Sequence, residues 1–299
     1  MRAAERTGNI KVMEALKRAE GYLAKHGVEG ARLSAEHLLA KCMGCSRLEL
    51  YLRFDEQLDE AMLASYREDL VKRAGHYPLQ YMLGEIEFLG LRFKVREDVF
   101  IPRPETELLV EWIEELIGGA PAVEFLEFGV GAGVIAGSLA ARHEGWRGTA
   151  LDISPEAVAL ARENFASLGV AGRVTAIVAD GAGAPVGGRA FDLYVSNPPY
   201  VPTGDIAGLQ PEVSRFENVS AIDGGPEGLR FYPTLGAEGL RVLRPGGLAA
   251  FEIGHGQAGG VSRILEELGY RRVATRRDYN RLERMVTAFA PGEGAGGDG

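Results

Sequence analysis

From residue 123 onward, short apolar runs alternate with stretches of helical spacing, and this alternation restricts the fold more than any other feature. Residues 123–128, 149–151 (closed by Asp152), 174–178, 191–195 and 248–253 read as buried strands. Helical segments fill the gaps: one runs to about Arg142, one starts at Pro155, and others cover 235–243 and 258–268. Pro155 suits the first turn of its helix, where its missing N–H is not needed. Apolar strands separated by helices build a mostly parallel sheet covered on both faces. Strand-like 270–274 is joined by a short loop to a last strand at 284–289, a connection that suits an antiparallel pair at the sheet edge.

The first 75 residues follow a different period. Val12, Leu16, Ala19 and Leu23 recur at helical spacing, as do Leu38, Leu39 and Cys42, with Ser34 as the expected N-cap. Residues 59–74 form a further helix with Leu63, Tyr66 and Leu70 on one face. Ile86 and Phe88 precede Leu89-Gly90, and Leu91, Phe93 and Val95 alternate with Arg92, Lys94 and Arg96, which is a hairpin pattern turning at Gly90. The expected organisation is a helical domain over 1–84, a hairpin linker over 85–97, an α/β domain over 98–290 and a disordered Gly-rich tail over 291–299.

Charge and composition narrow the function. A net charge of −9 is not the footprint of a protein that grips nucleic-acid phosphates, so no direct DNA binding is expected. Arg271, Arg272, Arg276, Arg277, Arg281 and Arg284 crowd the C-terminal part and read as a solvated face. No apolar run approaches the roughly 20 residues of a membrane span, and the first residues lack the apolar core of a secretory signal. The expected compartment is the cytosol, the expected state a monomer. Cys42 and Cys45 form a lone C-x-x-C with no second pair to complete a zinc site, and five scattered histidines show no metal spacing; no metal is expected.

Two loops carry the chemistry. Glu127-Phe128-Gly129-Val130-Gly131-Ala132-Gly133 joins the first strand of the sheet to its helix, with glycines where a backbone must turn tightly and meet a ligand closely. Asp152 lies 19 positions beyond Gly133, at the end of the second strand, where a carboxylate can accept both hydroxyls of a ribose. Gly131, Gly133 and Ala136 also satisfy a dinucleotide fingerprint. The denser glycine pattern suits S-adenosylmethionine better, since that ligand has no pyrophosphate. Asp180, read as the end of the third strand, is placed to meet an adenine amino group. The second loop, Asn197-Pro198-Pro199-Tyr200, follows the fourth strand and Ser196. Its prolines stiffen the chain and remove donors. It offers an amide side chain, a free carbonyl and an aromatic ring, which together fit a planar –NH2 group. A methyltransferase acting on a planar nitrogen needs such a loop; a dinucleotide enzyme does not.

The chain resembles the HemK/PrmC class of protein-(glutamine-N5) methyltransferases over about residues 30–289. The resemblance is carried by Pro78-Leu79-Gln80-Tyr81, Leu83-Gly84-Glu85, Ile101-Pro102-Arg103-Pro104-Glu105-Thr106-Glu107, the glycine loop and Asp152-Ile153-Ser154-Pro155-Glu156-Ala157. It continues through Ser196 to Tyr200, Ala221-Ile222-Asp223-Gly224-Gly225 with Gly228-Leu229, and Glu252-Ile253-Gly254. It implies a Rossmann-like class I methyltransferase domain with a seven-stranded, mostly parallel sheet and an antiparallel last strand. It also implies an N-terminal helical domain that helps to recognise peptide chain release factors. The implied activity is methyl transfer from S-adenosylmethionine to the glutamine of the release factor's Gly-Gly-Gln loop. Implied cofactor contacts are Phe100, Gly129, Val130, Gly131, Ala132, Gly133, Asp152, Ile153, Asp180, Gly181 and Asn197. Implied substrate contacts are Arg103, Pro104 and Asn197 to Tyr200, with Asn197, Pro198 and Tyr200 catalytic. Where such enzymes commonly carry an aromatic after the third-strand acid, this chain has Gly181. Glu105 and Glu107 read as first-turn helix acids, and Glu252 as a strand-end residue. Rival readings are a glutamine methyltransferase of a ribosomal protein, a DNA adenine methyltransferase, a noncatalytic S-adenosylmethionine- or RNA-binding module, and an NAD-dependent oxidoreductase.

Overall fold

A computed structural model describes residues 10–180 and 188–292. The chain divides into two units, one comprising residues up to Gly84 together with Pro211–Phe216, the other Glu85–Gln210 and Glu217 onward.

The smaller unit is helical. A two-residue strand β1 (Ile10–Lys11) leads into α1 (Val12–Lys25), then α2 (Ala31–Met43), α3 (Arg47–Leu52), β2 (Gln57–Leu58, antiparallel to β1), α4 (Glu60–Ala74) and α5 (Leu79–Leu83). On α1 the buried residues Val12, Ala15, Leu16, Ala19 and Leu23 form one stripe, which meets Leu38 and Leu39 of α2 and Leu63, Tyr66 and Leu70 of α4 in a single core. Ser34 is not the N-cap. The helix starts three residues earlier, behind Gly30, and buried Ser34 instead accepts a hydrogen bond from Arg73 Nε at 3.2 Å. Arg73 also donates to Glu212 Oε1 at 2.7 Å, on the short helix Pro211–Phe216. That helix, expected in the catalytic domain, belongs to the helical unit because this buried ion pair and an edge-on contact between Tyr77 and Phe216 hold it there. Cys42 and Cys45 are unpaired thiols.

The larger unit opens with the antiparallel hairpin β3 (Glu85–Phe88) and β4 (Leu91–Lys94). The expectation of a separate linker needs correction. Phe88 and Phe93 are buried in this unit's core, and the Asn164 side chain bridges the Lys94 N–H and carbonyl at 2.8 and 3.0 Å. Glu107 accepts the Leu89 N–H, so the hairpin turn is pinned to the next helix. The order then runs α6 (Glu105–Ile117), β5 (Val123–Phe128), α7 (Val134–Arg142), β6 (Trp146–Asp152), α8 (Pro155–Ser167), β7 (Val174–Val178) and β8 (Phe191–Ser196). After α9 (Pro211–Phe216) in the helical unit come α10 (Tyr232–Val242), β9 (Leu243–Glu252), α11 (Ala258–Glu267), β10 (Arg271–Arg277) and β11 (Glu283–Phe289).

The seven strands pair in the order β10-β11-β9-β8-β5-β6-β7, parallel except that β11 runs antiparallel to both neighbours. Alternate residues feed two cores. Phe125, Leu193, Val195, Leu248 and Ala250 face α6, α7 and α8, while Leu126, Tyr194, Ala249 and Phe251 face α10 and α11. Strand order reverses between β5 and β8, which opens a crevice beyond their carboxyl ends, where α/β sheets bind ligands. Among the described residues no helix is long and apolar enough to cross a membrane. None of their acidic, histidine and cysteine side chains cluster as a metal site would require.

Candidate active site

Both expected loops leave the sheet at this crevice. Phe128 and Ser196 are register partners at the ends of β5 and β8, and Ser196 Oγ donates to the Phe128 carbonyl at 2.8 Å. The glycine turn is tied to the other side by Gly129 and Val130 N–H groups, which both donate to the Leu151 carbonyl. Gly129, Gly131 and Gly133 all adopt positive φ (78°, 51° and 79°), the region that L side chains avoid. A Cβ on Gly133 would lie 2.8 Å from Phe165 Cε1, so this glycine lets the first turn of α7 sit against α8. Val130 and Ala132 are buried in the core, and the Ala132 carbonyl accepts Asn164 Nδ2 at 2.8 Å. Beneath the turn, Glu127 is buried and accepts the Ala136 N–H at 3.0 Å; burial and the nearby Asp152 raise its pKa well above the usual carboxylate range.

Asp152 closes β6. Its Oδ2 accepts the Gly131 N–H and its Oδ1 the Ser154 N–H, each at 2.9 Å. Each oxygen keeps a second lone pair for a ligand hydroxyl. Next to it the Ile153 side chain is 71 % exposed, an uncovered apolar surface at the crevice edge. Asp180 is exposed and does not end the strand: β7 stops at Val178, whose pairing with Asp152 closes with the last ladder bond, from the Ala179 N–H to the Asp152 carbonyl. Gly181 lies outside the described residues.

The Asn-Pro-Pro-Tyr loop is braced from behind. Asn197 is half-buried, and its Nδ2 donates to Thr106 Oγ1 at 3.2 Å; Thr106 Oγ1 in turn donates to Glu252 Oε2 at 2.6 Å. The Tyr200 hydroxyl donates to Glu252 Oε1 at 3.1 Å. Its hydroxyl is thereby anchored, and the half-buried ring packs beside the second core. Burial and the neighbouring Glu252 push its phenol above its ordinary range, so it stays a donor. The Tyr200 carbonyl accepts Gln257 Nε2 at 2.7 Å. Pro198 is buried, and no group among the described residues hydrogen-bonds to its carbonyl or to Asn197 Oδ1. The Asp223-Gly224-Gly225 element supports the same loop. Gly224 donates to the Val201 carbonyl, and a Cβ on it would come within 2.8 Å of the Pro199 carbonyl and Tyr200 Cα.

Arg103 and Pro104 precede α6. The Arg103 guanidinium pairs with buried Glu217 and lies 4.8 Å from the centroid of the Phe100 ring. Glu217 also accepts the Ile101 N–H at 3.4 Å. Pro104 is exposed at the start of the helix, and Glu105 and Glu107 occupy the first turn of α6. Thr106, Glu217, Glu252 and Gln257 carry supporting roles that the sequence pattern does not mark, although Thr106 lies within the Ile101 to Glu107 segment. Each acts through a partner between 57 and 146 positions away, and no local spacing announces such pairs. The available signal was an acid or amide embedded in an otherwise apolar strand or loop, as in Phe251-Glu252-Ile253.

Comparison with known proteins agrees with this geometry. Residues 14–84 match the PrmC N-terminal domain and 103–208 the methyltransferase small domain. A release factor glutamine methyltransferase of Geobacter sulfurreducens is 41 % identical over 92 % of this chain and 95 % of its own length. Proteins of the same name from Moorella thermoacetica and Chlorobaculum tepidum are 42 % and 38 % identical, over 94 % and 93 % of this chain and 99 % and 97 % of theirs.

Proposed function

Because the chain belongs to the release factor glutamine methyltransferases, we propose that it transfers the methyl of S-adenosylmethionine to the side-chain nitrogen of the glutamine in a release factor's Gly-Gly-Gln loop. The carrying observation lies at the strand-order reversal, where a three-glycine turn and Asp152 face a braced Asn-Pro-Pro-Tyr loop with two acceptors, Asn197 Oδ1 and the Pro198 carbonyl, unengaged. The residues fit the cofactor: positive-φ glycines leave the main chain uncovered, and the Asp152 oxygens have lone pairs to spare. When bound, S-adenosylmethionine supplies a methyl on a sulfonium, an electrophile strong enough for a weak nucleophile.

An amide nitrogen is weak because its lone pair is delocalised into the carbonyl. Asn197 Oδ1 and the Pro198 carbonyl accept its two N–H groups and orient the nitrogen toward the methyl. As positive charge develops, the same two acceptors stabilise it. Orientation alone contributes up to about 7–11 kcal/mol in favourable cases. The nitrogen would form its bond to the methyl carbon as the carbon–sulfur bond breaks with the electron pair left on sulfur, and one of the two amide protons would then pass to solvent water. The Tyr200 ring, held by Glu252 and Gln257, walls the amide plane. Arg103, held by Glu217, fixes the segment carrying Phe100 at the pocket rim. The helical unit recognises the body of the release factor, and the cytosol, where free thiols such as Cys42 and Cys45 persist, is the working compartment.

The test incubates the protein with S-adenosylmethionine and a release factor, then maps the product by mass spectrometry. Gain of one CH2 on the Gly-Gly-Gln glutamine is expected. Methylation of a ribosomal-protein glutamine or of DNA adenine, with the release factor untouched, would refute the substrate assignment.

A further inference from the structure

Glu252 sits at the end of β9 and is 1 % exposed. It receives two hydroxyl protons, from Thr106 at 2.6 Å and from Tyr200 at 3.1 Å. Its own main-chain carbonyl accepts the Tyr232 hydroxyl at 2.9 Å. A threonine hydroxyl has one proton. With that proton given to Glu252, Thr106 Oγ1 can only accept from its other neighbour, the Asn197 carboxamide. The group of Asn197 that faces Thr106 must then be the NH2, and its oxygen must face the crevice. A half-turn of the amide about its terminal bond would replace an acceptor by a donor where the substrate amide needs an acceptor.

We infer that Glu252 is a positioning residue: through the single proton of Thr106 it fixes which way round Asn197 presents its carboxamide, and so whether the loop can hold a substrate NH2. This rests on the reading of Asn197 as the substrate-amide acceptor. The arrangement is reversible in principle. If Glu252 takes a proton it can donate to Thr106 Oγ1. The Thr106 proton is then free to point at Asn197, which favours the turned-over amide. Burial pushes the Glu252 carboxyl up to about 7; the Thr106 and Tyr200 hydrogen bonds and the Arg284 charge pull it down, and Glu105 adds to the rise. Protonation and its consequence therefore fall within reach of neutral pH. The two tyrosines against it, Tyr200 from the loop and Tyr232 from α10, are pushed up by burial and keep their phenol protons over that range.

The test pairs Glu252→Gln and Thr106→Val in a double-mutant cycle, read as kcat, KM and S-adenosylmethionine affinity, together with the NMR signal of the Asn197 side-chain NH2 as a function of pH. Glutamine at 252 can keep the Tyr200 contact with its oxygen while its NH2 donates to Thr106, which forces the wrong proton order. The expected result for Glu252→Gln is kcat lower by about 10²-fold, the size of losing one preorganised polar contact, with cofactor affinity unchanged. In Thr106→Val the further change at 252 has no added effect. The wild-type Asn197 NH2 signal titrates near neutral pH, and this titration is absent from both variants. Additive losses, or an Asn197 signal that titrates alike in wild type and Glu252→Gln, would overturn the inference. The NMR arm needs no substrate. A titrating Asn197 in a protein that methylates no glutamine would sink the substrate reading and leave the relay standing.

Discussion

Gly133→Ala places a methyl where the structure has neither the backbone conformation nor the space for it. The residue sits at φ +79°, and the new Cβ would lie 2.8 Å from Phe165 Cε1 and 3.1 Å from Ala161 Cβ. The left-handed conformation costs an L residue about 1–2 kcal/mol. Overpacking against a filled core adds about 1–3 kcal/mol, because Phe165 and Ala161 are themselves buried in the large unit's core and cannot retreat into solvent. Together the expected loss is about 2–5 kcal/mol. At roughly 2–4 °C per kcal/mol for a domain of this size, the melting temperature falls by about 4–20 °C. The control is Gly131→Ala: φ is +51°, nothing lies within 4 Å of the added methyl, and only the conformational cost of about 1–2 kcal/mol applies. The two tryptophans, Trp112 and Trp146, are both buried in the large unit, so fluorescence excited selectively at tryptophan during urea or thermal unfolding reports on that unit. Equal losses in the two variants would mean that the close approach of α7 to α8 is not what requires a glycine at 133.

Three further outcomes follow from the site and its supports. Asp152→Asn removes the charged acceptor that holds Gly131 and Ser154; each hydrogen bond to a charged group is worth about 1.5–3 kcal/mol, so the dissociation constant for S-adenosylmethionine, measured by isothermal titration, rises by about 10–100-fold. Glu217→Ala orphans Arg103 and the Ile101 N–H, which costs stability of about 1–3 kcal/mol; the urea midpoint falls and KM for the release factor rises while cofactor affinity holds. In the helical unit burial opposes the ionised form of Glu36, but hydrogen bonds from Tyr51, Arg47 and Arg32 outweigh it and hold its pKa down to about 2. A depressed carboxyl stabilises the fold fully above the unfolded-state value of about 4.3 and loses that contribution as pH falls toward 2, so Glu36→Gln should flatten the acid limb of stability over that window.

What the sequence discloses and what it hides divide along physical lines. Short runs dominated by β-branched and aromatic residues announce strands even with a Glu or Thr among them, so β5 and β7 are legible to the residue, whereas β9 begins at Leu243, before its apolar part, because Arg244 to Gly247 lie in a register irregularity that no hydrophobic pattern marks. The start of α2 is misread at Ser34 because a serine that looks like a cap is claimed by Arg73 from another helix. The hairpin is recognisable from its alternation, but its attachment to the large unit depends on Asn164 and Glu107, residues distant in sequence. At the site, the glycine turn, Asp152 and Asn197 to Tyr200 stand out because each needs an unusual local residue type. Thr106, Glu217 and Glu252 do not, since their significance lies in which protons and charges they share after folding.

The most direct test is a single-turnover measurement with Asn197→Ala, S-adenosylmethionine saturating and the enzyme in excess over the release factor. Removal of one of the two acceptors for the substrate amide should slow methyl transfer by about 10²–10³-fold, with cofactor affinity within error of wild type. A rate within a few fold of wild type would contradict the assignment of Asn197 as the group that holds and polarises the glutamine nitrogen.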